Sequence, residues 1–486
     1  MNPQIGFLLN KTLESLRVSN LDSAELYLKQ AMRLQSNNPH VYRLLGVLLT
    51  RQKKYQEALD CLNTSLKFLP KNSLALCNLG NVFLDLKDYE KAIDAYDKSI
   101  KINPNFEEVW SNKGNALCEL KRYEDALISY DRAISLKSSY ADAWSNKGST
   151  LHQLGVFEGS IAHYDRALSL SPNHPEAAWN KSLSLLLQGD YQNGLPLYES
   201  RWRSESVSDF IKKRSFDRPI WLGQESVKDK TILIYGEQGL GDFIQFCRYT
   251  KFVANLGAKV ILEVPQSLAT LLTGLAGVSE LVIGGQDLPP FDFCCPIVSL
   301  PLAFNTRVNS IPAENHYIAS DLRKVSEWRL KLGEKKKKRV GLVWSSLSNF
   351  QHDARRSLLL SDFVKALPVD GYEYVCLQKV LKDCDKEFFK EYQNIQFFGD
   401  QLNDFSDTAA LIESVDLVVS TCTSVPHLSA AMGKETWIIL PHIPDWRWLL
   451  DREDSPWYPS VKLYRQSAVN DWSGVLERVK SELNDR

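Results

Sequence analysis

Small and apolar positions recur at a fixed step through the first half of the chain. Gly46, Gly80, Gly114 and Gly148 stand 34 residues apart. The same step relates Ala58, Ala92, Ala126 and Ser160, and a second column of Leu62, Tyr96, Tyr130, Tyr164 and Tyr198. Pro70, Pro104 and Pro172 form a third, with Ser138 in the missing slot. The windows 39–72, 73–106, 107–140 and 141–174 each read as two amphipathic helices. Glycine at the eighth position of the window lets the helices approach, alanine at the twentieth is small for the same reason, and proline ends the second helix. The outer windows, 5–38 and 175–208, keep the pattern only in part, as terminal repeats do. From Lys230 the period changes. Apolar runs at TILIY (231–235), KVILEV (259–264), ELVIG (280–284) and DFCCPIVSL (292–300) alternate with helical segments. The pattern restarts at RVGLVWS (339–345) and continues through YEYVCLQ (372–378), IQFFG (395–399), DLVVST (416–421) and TWIIL (436–440).

A period of 34 is the signature of paired-helix tetratricopeptide (TPR) repeats. Such units stack into a solenoid whose concave face is available to a partner. Residues 5–208 are therefore expected to be an all-α recognition arm. Trp110 and Trp144 could stack on a ligand, but their repeat position favours core packing. Asn78, Asn112 and Asn146 share one column on the first helix of their windows, and read either as a polar recognition ladder or as plain surface. The charged, aromatic segment 198–223 breaks the period and is expected to be the joint between arm and catalytic part, its tryptophans docked on the next domain, with 209–228 as the linker proper. Alternating strands and helices predict two Rossmann-like α/β halves, 229–335 and 338–486, facing a cleft.

Composition narrows the function classes. A chain of 486 residues exceeds one ordinary domain. A net charge of −1 argues against broad capture of nucleic acid or anionic membrane, and the basic run 335–339 reads as a linker. Nine cysteines without a CxxC pair suit reduced thiols. The apolar stretch near the start lacks a basic n-region and reads as a first repeat helix, and no apolar run approaches the ~20 residues of a membrane span. The expected setting is cytoplasmic, without an integral membrane segment.

Ligands in open α/β sheets bind beyond the carboxyl ends of strands, which directs attention to three loops. GEQGLGD (236–242) lacks both the GxGxxG spacing and the Walker lysine. Its Asp242 reads either as a helix cap or as a functional carboxylate. SSLSNFQHDARRS (345–357) offers His352, Arg355 and Arg356, which fit a solvated loop or a grip on a diphosphate. STCTSVPHLSAAMGK (420–434) places Thr423 and Ser424 at a helix start with His427 on its first turn, a cap with a buried histidine or a phosphate cradle.

Together with FDFCCPIVSLP (291–301) and PDWRWLLDREDSPWYPS (444–460), these loops make residues 229–486 resemble the GT-B glycosyltransferases typified by bacterial lipopolysaccharide heptosyltransferases, and in particular their TPR-linked members. The O-GlcNAc transferase type also joins a repeat arm to a GT-B core, but loop three and PDWRW fit the heptosyltransferase-like group better. The resemblance implies metal-independent, inverting transfer from a nucleotide-sugar donor, without a further cofactor. It implies Asp242 as general base in the acceptor-side half. Arg356, with Arg355 beside it, Thr423, Ser424, His427, Gly239 and Gly241 would hold donor and diphosphate, and the arm would recruit a protein or glycan acceptor. A homo-oligomer is compatible with this reading. Many relatives carry Asp where this chain has Cys422, which keeps a second expectation in play: a TPR interaction scaffold with a degenerate, non-catalytic GT-B part.

Overall fold

The computed structural model describes residues 3–207, 211, 214–346, 356–392, 394–469 and 471–486. The chain forms two compact units, Met1–Asn180 and Lys181–Arg486.

The first unit is a run of helical hairpins. Pro3–Arg17 pairs with Leu21–Leu34, Pro39–Arg51 with Tyr55–Phe68, Ser73–Asp85 with Tyr89–Ile102, Glu107–Glu119 with Tyr123–Leu136, and Ala141–Gln153 with Phe157–Leu170. The glycine column is explained by the aromatic column of the same hairpin. A methyl on Gly114 would come within 2.5 Å of Tyr130 Cε1, and one on Gly148 within 2.8 Å of Tyr164 Cε1. The tyrosine hydroxyls are satisfied next door: Tyr96 and Tyr130 donate to Asn81 Oδ1 and Asn115 Oδ1, both at 2.8 Å. Each first helix ends in a left-handed residue, and these too are 34 apart: Ser19, Lys53, Lys87, Lys121, Gly155 and Gly189. The following amide closes a six-residue loop onto the helix, as in Lys54 N–H to Leu49 O and Arg122 N–H to Leu117 O at 2.9 Å.

The second unit holds two parallel sheets. The first contains β1 (Thr231–Tyr235), β2 (Lys259–Val264), β3 (Glu280–Ile283) and β4 (Phe293–Pro296) in the order β3-β2-β1-β4. The second contains β5 (Lys338–Val343), β6 (Tyr372–Cys376), β7 (Ile395–Phe397), β8 (Leu417–Thr421), β9 (Thr436–Leu440) and β10 (Val461–Arg465), ordered β10-β9-β8-β5-β6-β7. Counted within each sheet, both follow the 3-2-1-4 order of doubly wound folds, and the second extends it to 3-2-1-4-5-6. The inner strands β1, β8 and β9 are almost wholly buried apolar runs, as sheets covered on both faces require, while the edge strands β3 and β7 are mostly half-buried. β10 is an additional edge strand. It carries Lys462 and Arg465 and follows the irregular stretch 449–460, so neither its composition nor its spacing announces it.

The unit boundary falls inside the last repeat window and not at 208. The reason is aromatic packing: Tyr191 and Tyr198, on the helix Tyr191–Tyr198, bury themselves against Trp446 and Trp457 of the α/β unit. Of the two tryptophans in 198–223, Trp202 is half-buried. Trp221 is buried, its backbone N–H donates to Cys294 O at 2.8 Å, and Cys294 N–H donates to Pro219 O at 3.0 Å, adding a one-residue bridge beside β4. The helix Leu322–Leu332 packs on Phe405–Glu413 of the second half, tied by Lys324 Nζ to Asp407 Oδ1 at 2.9 Å.

Candidate functional site

Strand order reverses between β1 and β4 and again between β5 and β8. The sequence-selected loops lie at those two switch points, where doubly wound sheets place their ligands. After β1 the chain turns at Gly236 and enters the helix Leu240–Phe246. Asp242 lies in its first turn and its Oδ2 accepts the Gly239 N–H at 3.0 Å, so the carboxylate does cap the helix. After β8, Thr423 caps the helix Ser424–Ala431, its hydroxyl accepting from Val425 N–H at 3.4 Å.

These two helix starts face each other. A methyl on Gly241 would sit 3.0 Å from His427 Cδ2 and 3.4 Å from Ser424 Cα, so Gly241 is small because the second helix lies against it. His427 is 5% exposed, exchanges a hydrogen bond with the Tyr458 hydroxyl at 3.0 Å and stacks on Trp448 with centroids 5.1 Å apart. Burial, reinforced by Arg447, lowers its pKa to about 3, which leaves a neutral ring. Cys422 accepts the Trp448 indole N–H at 3.1 Å, and burial raises its thiol to about 11, an unreactive value.

The other oxygen of Asp242 is taken by Arg447, a residue of the PDWRW segment. Arg447 Nη2 forms a close ion pair with Asp242 Oδ1. Its Nη1 donates to both oxygens of Asp445, at 2.9 and 3.1 Å. The guanidinium is 5% exposed and lies over the Trp446 ring at 4.6 Å, while the Asp242 side chain keeps 22% exposure. Burial holds the Asp242 carboxyl above its ordinary value, and Arg447 pulls against it. Arg356 reaches the same place. It donates to Ser346 Oγ at 3.4 Å, and its charge acts on Asp242, Cys422 and His427. Arg355 and His352 lie outside the described residues.

A second buried cluster starts from loop one itself. Glu237 is fully buried and accepts from Arg201 Nη2 at 3.1 Å. Arg201 also donates to Ser299 Oγ at 2.7 Å and to Glu199 Oε1 at 2.6 Å. Glu237 Oε2 has no hydrogen-bond partner among the described residues, and burial pushes this carboxyl up to about 7 against the pull of Arg201. Glu237 sits inside a sequence-selected loop, but its burial is invisible without its partner 36 residues upstream.

In the array, Asn112 Nδ2 donates to Asn81 Oδ1 at 3.0 Å, linking successive repeats. Asn78 and Asn146 are half-buried in the same column. Trp110 and Trp144 donate to Pro104 O and Ser138 O at 2.9 and 3.0 Å, pinning each helix to the turn before it. Among the described residues there is no group of three or more His, Cys, Asp or Glu arranged to hold a metal ion, and no helix long and apolar enough to cross a membrane.

Comparison with known proteins places the repeats firmly. Residues 73–106 and 95–128 match families described as tetratricopeptide repeat, residues 114–155 match a TPR repeat family, and residues 13–73 and 146–205 match a further tetratricopeptide repeat family. A curated relative is Protein FlbA of Caulobacter vibrioides, 28% identical over 326 residues, covering 61% of this chain and 53% of FlbA. The chain thus spans about half the length of that relative. The covered share exceeds the repeat array, so the likeness extends into the α/β unit. Among solved structures, PilF of Pseudomonas aeruginosa is 15% identical with a TM-score of 0.37, covering 42% of this chain and 93% of PilF. A thermophilic TPR protein of Thermus thermophilus, TTC0263, is 16% identical with a TM-score of 0.35, covering 37% of this chain and 99% of its own. The amino-terminal part of this chain is an array of tetratricopeptide repeats.

Proposed function

We propose that the α/β unit is an inverting GT-B glycosyltransferase that needs no metal, and that the repeat array presents a protein or glycan acceptor to it. The observation that carries this reading is the meeting of Asp242, from the switch point of the first sheet, with Arg356 and the helix start at Thr423, from the switch point of the second. In this scheme the Asp242 carboxylate takes the proton of the acceptor hydroxyl as its oxygen bonds to the anomeric carbon, and the nucleoside diphosphate leaves with the electron pair of the broken C–O bond. Arg356 and the amides of Thr423 and Ser424 stabilise the charge on the departing diphosphate. Gly241 and His427 serve the reaction indirectly, by letting the two helix starts close on each other.

A second reading, an interaction scaffold with a non-catalytic α/β unit, draws on two observations. Both oxygens of Asp242 are engaged within the protein, and the half-buried Cys422 holds its thiol protonated. Thermal unfolding with UDP-, GDP- and ADP-linked sugars separates the two. A donor at a hundredfold excess over its Kd stabilises the folded chain by about 2.7 kcal/mol. The scaffold reading calls for no response to any of them.

A further inference from the structure

Arg447 is held in an aromatic socket with parts from three places in the chain. Trp446, 4% exposed, stacks on Phe246 at 6.3 Å and meets Trp457 edge-on at 6.2 Å. On its other side it meets Tyr191 edge-on at 5.5 Å and Tyr198 at 6.0 Å, both from the last repeat helix. Trp457 Nε1 donates to the Tyr191 hydroxyl at 3.2 Å, and the Tyr198 hydroxyl bonds with Gln238 of loop one at 3.3 Å. The loop carrying Arg447 is pinned from beneath by Arg465, which donates to the carbonyls of Trp448, Leu449 and Arg452 at 2.6, 2.9 and 2.8 Å. Leu449 sits in the left-handed region at φ 54°, a strain that such a loop keeps only when its surroundings fix it.

We propose that Arg447 is the positioning residue of Asp242, and that Tyr191 and Tyr198, acting through Trp446, hold it in place, so that the last repeat helix is a working part of the site. The inference rests on Asp242 being the base of the proposed reaction. With Oδ2 on Gly239 N–H and Oδ1 on Arg447, the carboxylate has one orientation, and each oxygen keeps a lone pair for an incoming hydroxyl. Asp445 takes two bonds from the same guanidinium, so the cation orients Asp242 while sharing its charge with a second carboxylate. The groups acting on Asp242 are Arg447, Asp445 and Arg356, with Glu237 and Tyr198 behind it. Of these, Arg447 makes the direct charged contact.

The test uses the full chain and follows hydrolytic nucleoside diphosphate release from UDP-, GDP- and ADP-linked sugars in turn, with water as the hydroxyl that Asp242 deprotonates and the free sugar as the other product. Removing the charge with Arg447→Gln is expected to move the acid limb of the kcat/KM profile upward by about one pH unit or more. Arg447→Lys keeps the charge and is expected to return the limb toward the wild-type position while kcat stays low, because the fork is lost. Tyr198→Leu is expected to lower kcat on its own but to add little in the Arg447→Gln background, as residues acting through one another do. An active wild type whose acid limb stays put in Arg447→Gln, or fully additive Tyr198 and Arg447 effects, would overturn the positioning role alone. A wild type that releases nothing from any donor would instead overturn the catalytic reading on which it rests.

Discussion

Asp242 and Arg447 are 205 residues apart in sequence and form a close ion pair across the two α/β halves. The pair places a partly exposed carboxylate at the carboxyl end of β1, anchored on both oxygens yet open to one side. Asp242→Asn keeps the shape and removes the proposed base. Donor binding should stay within about threefold of wild type, and transfer should fall by roughly 10²–10⁴. Titration of donor against both proteins, beside turnover, checks this; equal turnover would remove Asp242 from the base role.

Arg356 approaches Asp242, Cys422 and His427 from the loop after β5. If it grips the diphosphate, Arg356→Ala loses charge-assisted bonds of about 1.5–3 kcal/mol, or roughly 10–100-fold in donor Kd. Calorimetric titration measures this directly, and an unchanged Kd would move the diphosphate elsewhere.

Glu237 gives the α/β unit a distinctive pH response. Its folded pKa of about 7 stands above the ordinary 4.5, so the folded state holds a proton that the unfolded chain has already released. Stability contributed here is therefore greatest below pH 4.5 and is lost as pH rises toward 7, by up to the order of 3 kcal/mol. Glu237→Gln cannot ionise. Its melting temperature relative to wild type should rise steadily from pH 4.5 to pH 7.5, whatever the constant offset from altered pairing with Arg201. A flat difference across that range would show that Glu237 stays ionised beside Arg201.

The left-handed column offers a test confined to the array. Lys121 holds φ 60° where Gly155, one repeat later, holds φ 76°. Lys121→Gly should raise the stability of the array by about 0.5 kcal/mol, and Gly155→Ala should lower it by about 1 kcal/mol. Denaturant unfolding of both variants checks the signs.

Much of the fold is legible in the sequence because its causes are local. Glycine against tyrosine across one hairpin repeats often enough to be read as columns, and buried parallel strands are short apolar runs. The left-handed column is hidden because only Gly155 and Gly189 advertise it, the other four positions being Lys or Ser. Asp242, Arg356, Thr423 and His427 stand out in the sequence because each lies in a polar or glycine-bearing loop after a strand. Arg447 and Glu237 also follow strands, but their partners are distant in sequence and their burial is encoded by no local pattern. Gly241, expected against the diphosphate, makes its contact with the facing helix at His427. Asn112, expected as surface or recognition, also donates to Asn81 of the preceding repeat.

The most direct measurement is thermal unfolding of the full chain against UDP-, GDP- and ADP-linked sugars, repeated with Arg356→Ala. A glycosyltransferase site should give a concentration-dependent rise in melting temperature with at least one nucleotide sugar, and that rise should shrink in Arg356→Ala. No rise with any of them, at concentrations up to the millimolar range, would contradict a nucleotide-sugar site in the α/β unit.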